Sequence, residues 1–191
     1  MTQQGFAIFE TAVGACGLVW SDGGIVGAFL PEPDAAATAA RLRRRFPMAV
    51  ECDPPTEIQA AMTRITSLMD GAADDLSGLA LDMRDIGAFD QSVYAIARAI
   101  APGQTLTYGE IATRLGDRTL ARGVGQSLGR NPFPIIVPCH RVLGVDGKVG
   151  GFSAPGGVVT KMKMLAIEKA RTSEAPMLFD APLAIAPRRR G

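Results

Sequence analysis

The sequence predicts an α/β half followed by a mostly helical half, and three observations point that way. Short β-prone runs broken by turn signals fill the first thirty or so residues, helical periodicity with a capping box dominates beyond residue 88, and the charge changes sign between the two. Residues 1–87 carry a net charge of −6, residues 88–171 carry +6, and residues 172–191 carry +1. A basic half joined to an acidic one fits a protein with one face turned to a polyanion, although solvated charge can also fluctuate along a chain. With 191 residues, 47% of them apolar, the chain can build a core, which excludes disorder. No run approaches eighteen apolar residues, and Met1–Gly5 lacks the pattern of a secretory signal, so a cytoplasmic protein with no membrane partner is expected. Three cysteines and one histidine are too few for a disulfide scaffold or a four-ligand zinc site, so no bound metal of that kind is expected; no cofactor is expected either.

Taken in order, Phe6–Val13, Ala15–Trp20 and Gly24–Leu30 are β-prone, and Ser21-Asp-Gly-Gly24 separates the last two, which predicts a β-meander. Asp34 can cap an Ala-rich helix from Ala35 to Phe46 that displays Arg41, Arg43, Arg44 and Arg45 on its surface. Glu57–Met69 has helical periodicity, while Met48–Cys52 and Leu79–Met83 can add strands. Cys16, within an alternating apolar run, reads as a core residue.

In the second half, Phe89–Ile100 is amphipathic and Pro102-Gly103 stops it. Thr107-Tyr-Gly-Glu110 has the Ser/Thr-x-x-Glu pattern, so a helix should start there and reach Gly116. After a tight turn, Thr119 can cap a second helix ending near Gly129. Such a pair in a basic segment fits a helix-turn-helix and fits equally a helical hairpin that binds nothing. Thr160–Ala170 reads as a last helix, on which Glu168 follows Met164 and Leu165 by four and three places. A carboxylate so placed needs a partner if its neighbours are buried, but with Lys161, Lys163 and Lys169 it also reads as an ordinary charged surface.

Asn131-Pro-Phe-Pro-Ile-Ile-Val-Pro-Cys-His-Arg-Val142 carries the chemistry. Ile135–Val137 can bury as a short extended run fixed by Pro134 and Pro138, which would hold Cys139 at a strand end. His140 supplies a proton acceptor and Arg141 a positive charge beside the sulfur, conditions that favour thiolate. A buried thiol with a chance histidine neighbour is the alternative.

Pro138-Cys-His-Arg-Val142, with Asn131-Pro and Pro134-Ile-Ile-Val before it and Leu143-Gly after, resembles the active-site motif of the O6-alkylguanine-DNA alkyltransferases. Leu106-Thr-Tyr-Gly-Glu-Ile-Ala112 and Arg122-Gly-Val-Gly125 resemble that family's helix-turn-helix segments, in order and in spacing. The resemblance covers roughly residues 86–171. It implies an N-terminal ribonuclease-like α/β domain over residues 1–87 and a winged-helix-like DNA-binding domain over residues 88–171; residues 172–191, with the run Pro187-Arg-Arg-Arg190, read from their composition as a flexible tail. It further implies double-stranded DNA carrying O6-alkylguanine as partner, approached from the minor groove with the base flipped out by a monomer.

By the family pattern Cys139 accepts the alkyl group, His140 takes its proton through a water, Glu168 orients the imidazole and Tyr108 donates to the guanine ring. Arg122 fills the gap left by the base, and Gly123, Gly125, Gln126 and Ser127 lie on the DNA-facing helix. Asn131 and Arg141 are structural, and Val142 by its carbonyl and Ser153 by its N–H read guanine. The thioether product has no polarised carbonyl for water to attack, so a single turnover is expected. The competing readings are a non-catalytic helix-turn-helix binder or sensor of alkylated DNA, and a cysteine hydrolase. The chain departs from the pattern at Phe152, where Tyr is usual, at the longer Ala154-Pro155 loop, at Gln126 and Ser127, and at Tyr94, where Trp is frequent.

Overall fold

The computed structural model describes residues 4–170; the expected flexible tail and its Arg188–Arg190 run lie outside the described residues. Strands β1 (Gly5–Thr11), β2 (Gly14–Ser21) and β3 (Gly24–Phe29) form the antiparallel meander, and β4 (Val50–Glu51) adds in parallel to β1, giving the order β3-β2-β1-β4. Helix α1 (Ala35–Arg45) begins at Asp34, whose carboxylate accepts from the Ala37 N–H at 2.7 Å. It covers one face of the sheet, packing Ala39 and Leu42 against Phe6, Val19 and Phe29. Helix α2 (Thr56–Met69) covers the other, setting Ile58, Ile65 and Leu68 against Leu18, Trp20 and Ile25.

Leu79–Met83 forms no strand. Leu81 makes only an isolated bridge to Ile25, and Asp82 is drawn into a side-chain cluster with Ser21 and Arg84 instead.

The second half consists of α3 (Ala88–Arg98), β5 (Leu106–Thr107), α4 (Tyr108–Arg114), α5 (Ala121–Gly129), β6 (Val142–Leu143) and α6 (Gly157–Ile167), with β5 and β6 paired in parallel. The Thr107–Glu110 capping box is formed from both sides. The second cap falls on Asp117 rather than Thr119: the Asp117 carboxylate accepts the Thr119 N–H at 2.8 Å and its hydroxyl at 2.6 Å, and a 3₁₀ turn over Arg118–Leu120 precedes α5. Aspartate two places upstream thus captures the free N–H first.

One apolar core runs through both halves, from Leu18 and Ile65 to Val93, Ile111, Phe133 and Met164. The sheet is also tied to the segment preceding Cys139 by a main-chain hydrogen bond, Ala28 N–H to the Pro132 carbonyl at 2.8 Å. No helix among the described residues is long and apolar enough to cross a membrane.

Candidate active site

The loop before Cys139 is a folded turn, not the extended run that its apolar residues predict. Asn131 clasps it: Nδ2 donates to the Val137 carbonyl at 2.8 Å and Oδ1 accepts the Phe133 N–H at 2.9 Å. The Val137 N–H closes on the Phe133 carbonyl at 2.8 Å, so Phe133, Ile135, Ile136 and Val137 are all buried within a few residues of chain. Ile135 adopts φ = 75°, a left-handed conformation that costs a β-branched residue on the order of 1–3 kcal/mol and persists only where its surroundings over-determine it. Cys139 follows Pro138 as the first residue of a 3₁₀ turn over Cys139–Arg141.

That turn sends three consecutive side chains to different tasks. The half-buried Cys139 lines an open cleft of about 400 Å³, with Leu128–Pro132 and Pro134 on one side and Phe152–Pro155 on another. His140 and Arg141 point inward and are buried. Glu168 meets both: Oε1 lies 3.0 Å from His140 Nε2 and accepts Arg141 Nη2 at 2.8 Å, while Oε2 accepts Arg141 Nε at 2.9 Å. Arg141 also donates from Nη1 to the Ile100 carbonyl, so its guanidinium is engaged away from the sulfur.

The expectation that Arg141 favours the thiolate is therefore corrected. Burial pushes the Cys139 thiol above its usual range, and the Asn131 side chain, the Lys161 charge and nearby N–H groups only partly counter it. Burial also pushes His140 below the ordinary histidine range against the raising effect of Glu168, so the imidazole is neutral at pH 7. With Glu168 accepting, the proton sits on Nε2, and Nδ1, buried and with no hydrogen-bond partner among the described residues, keeps its lone pair.

Lys161 is the residue that sequence reasoning missed. It is fully buried, donates from Nζ to the Val142 carbonyl at 2.6 Å, and is the cation that acts on Cys139. The signal was its spacing: Lys161, Met164, Leu165 and Glu168 recur at i, i+3, i+4 and i+7, one buried face of a helix that starts at Gly157, three residues before the predicted start. Glu168 is that helix's C-cap rather than an interior residue. Lys161→Met is expected to keep the fold and to slow thiol alkylation at neutral pH, because the thiol loses the positive charge that favours its ionised form. The rate-against-pH curve for a soluble alkylating reagent should move to higher pH, and an unmoved curve would show that the ammonium does not act on the sulfur.

The remaining predicted residues divide. Tyr108 is partly buried near Cys139, and burial followed by that sulfur's charge raises its pKa, so its hydroxyl stays protonated as a donor. Arg122 and Gln126 are exposed on α5. Ser127 is not available to DNA: it lies on the inward face with Val124 and Leu128, fully buried, and its carbonyl accepts the Tyr94 hydroxyl at 3.1 Å. On the same helix a Cβ at Gly123 would crowd the Phe89 ring at 3.3 Å, whereas one at Gly125 would meet the Tyr108 ring at an ordinary 3.8 Å. The Val142 carbonyl already has Lys161 on one lone pair, and the Ser153 hydroxyl donates to the Gly129 carbonyl at 3.1 Å. Among the described residues no group of three or more His, Cys, Asp or Glu is arranged to hold a metal ion.

Residues 88–170 match the family model for the DNA-binding domain of 6-O-methylguanine DNA methyltransferase. A methylated-DNA–protein-cysteine methyltransferase of Methanothermobacter thermautotrophicus is 32% identical over 152 residues, spanning 80% of this chain and 78% of that one. The chain belongs to the methylated-DNA–protein-cysteine methyltransferase family. Among solved structures, the O6-methylguanine methyltransferase of Mycobacterium tuberculosis superposes with a TM-score of 0.69 at 29% identity, covering 94% of this chain and all (100%) of that one. The Mycobacterium tuberculosis OGT in complex with DNA gives 0.65 at 28%, covering 86% and 92%. The mixed sheet-and-helix architecture is thus shared with these solved methyltransferases.

Proposed function

We propose that this methyltransferase repairs O6-alkylguanine in DNA by moving the alkyl group irreversibly onto Cys139. The observation that carries the reading is a cleft-lining thiol beside a neutral histidine whose tautomer is fixed by a buried carboxylate. Glu168 holds the Nε2 proton, so Nδ1 is the basic nitrogen, and one bridging water takes the thiol proton to it. The thiolate attacks the alkyl carbon in line. The S–C bond forms, the C–O6 bond breaks, and its electron pair passes to the guanine ring, where the Tyr108 hydroxyl meets the growing charge. The base is neutralised by the proton the thiol gave up, and the thioether that remains has no leaving group.

Around this chemistry Arg122 enters the base stack from the minor groove, and Gln126 lies alongside it on the exposed face of α5. The Val142 carbonyl, through its second lone pair, and the Ser153 N–H read the guanine edges, while Asn131 sets the turn that aims the sulfur. The same reading takes residues up to 87 as a ribonuclease-like domain and residues 88–171 as a winged-helix-like DNA-binding domain, the protein acting in the cytoplasm as a monomer on double-stranded DNA. Paired β5 and β6 beside α4 and α5 support the second assignment.

An oligonucleotide bearing labelled O6-methylguanine tests the reading. Label should plateau at one equivalent per chain, on the peptide holding Cys139; continued release would identify a hydrolase, and tight binding without label a non-catalytic reader. Arg122→Ala separates base extrusion from chemistry. It should slow repair of duplex DNA by at least tenfold while reaction with free O6-benzylguanine changes little, since only the duplex needs a base displaced. Equal losses on both would remove Arg122 from that role.

A further inference from the structure

The cleft that holds Cys139 has a second wall, built by the acidic half of the chain. Arg41, Arg44 and Arg45 of α1, with Phe29 and Phe46, line the same cleft as the nucleophile, and Arg130 lies at its C-terminal-half edge. Four of the six arginines in residues 1–87 fall on this one helix, inside a half whose net charge is −6.

Their side chains are not equivalent. Arg41 pairs with Glu32 at 2.9 Å and Arg43 with Glu51 at 2.6 Å, whereas among the described residues neither Arg44 nor Arg45 has an acidic partner within 4.0 Å. Arg45 instead lies over the Phe46 ring at 5.6 Å, and Arg41 over the Phe29 ring at 6.0 Å. The two rings meet edge to face with centroids 6.0 Å apart, and Phe46 is pressed against Gly27, where a Cβ would come within 3.0 Å of it. The held Phe46 ring thus supports the Arg45 guanidinium, which limits the rotamer freedom that residue loses when an anion binds, while Arg44 lines the cleft beside it. The negative end of the α1 dipole accounts for cations in the last turn, but not for their facing the nucleophile's cleft without a carboxylate.

We propose that Arg44 and Arg45, with Arg130 opposite, bind a backbone phosphate of the DNA strand that delivers the damaged nucleotide to Cys139. The inference rests on the reading of this chain as one that acts on DNA. A base extruded into the cleft carries its flanking phosphates to the rim, and a planar guanidinium can bind phosphate through two parallel hydrogen bonds. Arg130 is half committed already, at 3.1 Å from Asp90, which leaves α1 as the main source of free positive charge there. DNA recognition is thereby extended from the basic half to a helix of the acidic one.

Binding of a duplex carrying O6-methylguanine, measured by anisotropy between 50 and 200 mM salt in a Cys139→Ala background that takes up no alkyl group, tests this. Arg44→Gln/Arg45→Gln should weaken binding by about tenfold at the low-salt end and reduce the slope of log K against log salt by about 1, since one phosphate contact contributes about 0.9. Its thermal midpoint should match that of the protein without the two substitutions. Arg43→Gln, which removes the same kind of charge from a residue held by Glu51, should leave affinity and slope unchanged. Unchanged affinity and slope in the double variant, or an equal loss in Arg43→Gln, would overturn the proposal. Both readouts are equilibrium binding, so a wild-type protein that binds the duplex but takes up no label would fail the repair reading while leaving this one standing.

Discussion

Cys139→Ala is expected to take up no label from O6-methylguanine DNA, against one equivalent for the wild type, while binding the same duplex with little change. The separation of chemistry from binding follows from where the thiol sits. It lines the cleft rather than filling the core, and the turn that carries it is held by the Asn131 bonds to the Val137 carbonyl and the Phe133 N–H and by the buried Phe133, Ile135, Ile136 and Val137 side chains, all of which the substitution leaves in place. Truncation removes one heavy atom, a loss on the order of 1 kcal/mol, too little to unfold a domain of this size. Intact-mass analysis of both proteins after reaction reads the outcome. The other two cysteines give the experiment its control: Cys16 is buried, with its pKa raised to about 11 by burial, and Cys52 is exposed on the surface. Label on the alanine variant would place the acceptor elsewhere and sink the assignment.

Glu168→Ala should cost more stability than any other single change at the site, about 3–5 kcal/mol, because it strands the buried Arg141 guanidinium as well as freeing His140. For a chain of this length that is a drop on the order of 10 °C in thermal midpoint. Glu168→Gln, which keeps acceptor capacity, should fall between. The pH dependence separates charge from packing. Burial would raise the Glu168 carboxyl, but hydrogen bonds from His140 and Arg141 outweigh it and hold it at about 2, below its ordinary 4.5. His140 lies below its ordinary 6.5. Both groups bind fewer protons folded than unfolded, so stability is full above about pH 6.5, declines as pH falls through the histidine range, and declines again from about 4.5 toward 2. Urea unfolding from pH 8 to 3 should show both phases in the wild type and lose the lower one in Glu168→Gln. A wild-type profile flat on acidification, or a Glu168→Ala protein with native midpoint, would refute the account.

Local rules made the outer structure legible. Asp34, the Thr107–Glu110 box and the Ser21–Gly24 turn each specify their geometry within four residues, and each formed. Legibility failed where long-range partners decide. Ile135–Val137 is apolar enough for a strand, yet β5 pairs with β6, and the Asn131 clasp turns the run inward. Ser127 follows the helix register into the core, a position that its place beside Gln126 in the motif conceals. Lys161 and Arg141 show the same limit from the other side. Two cations read as solvated or as sulfur-activating are both buried, and only tertiary contacts reveal that Glu168 claims one and the Val142 carbonyl the other.

The hydrogen bond from Ala28 to Pro132 joins the edge of the meander to the backbone seven residues before the sulfur. The amino-terminal portion is thus less a passenger than a buttress: whatever loosens it, whether heat, a protease nick or an ill-chosen truncation, also slackens the hinge on which the reactive atom is hung.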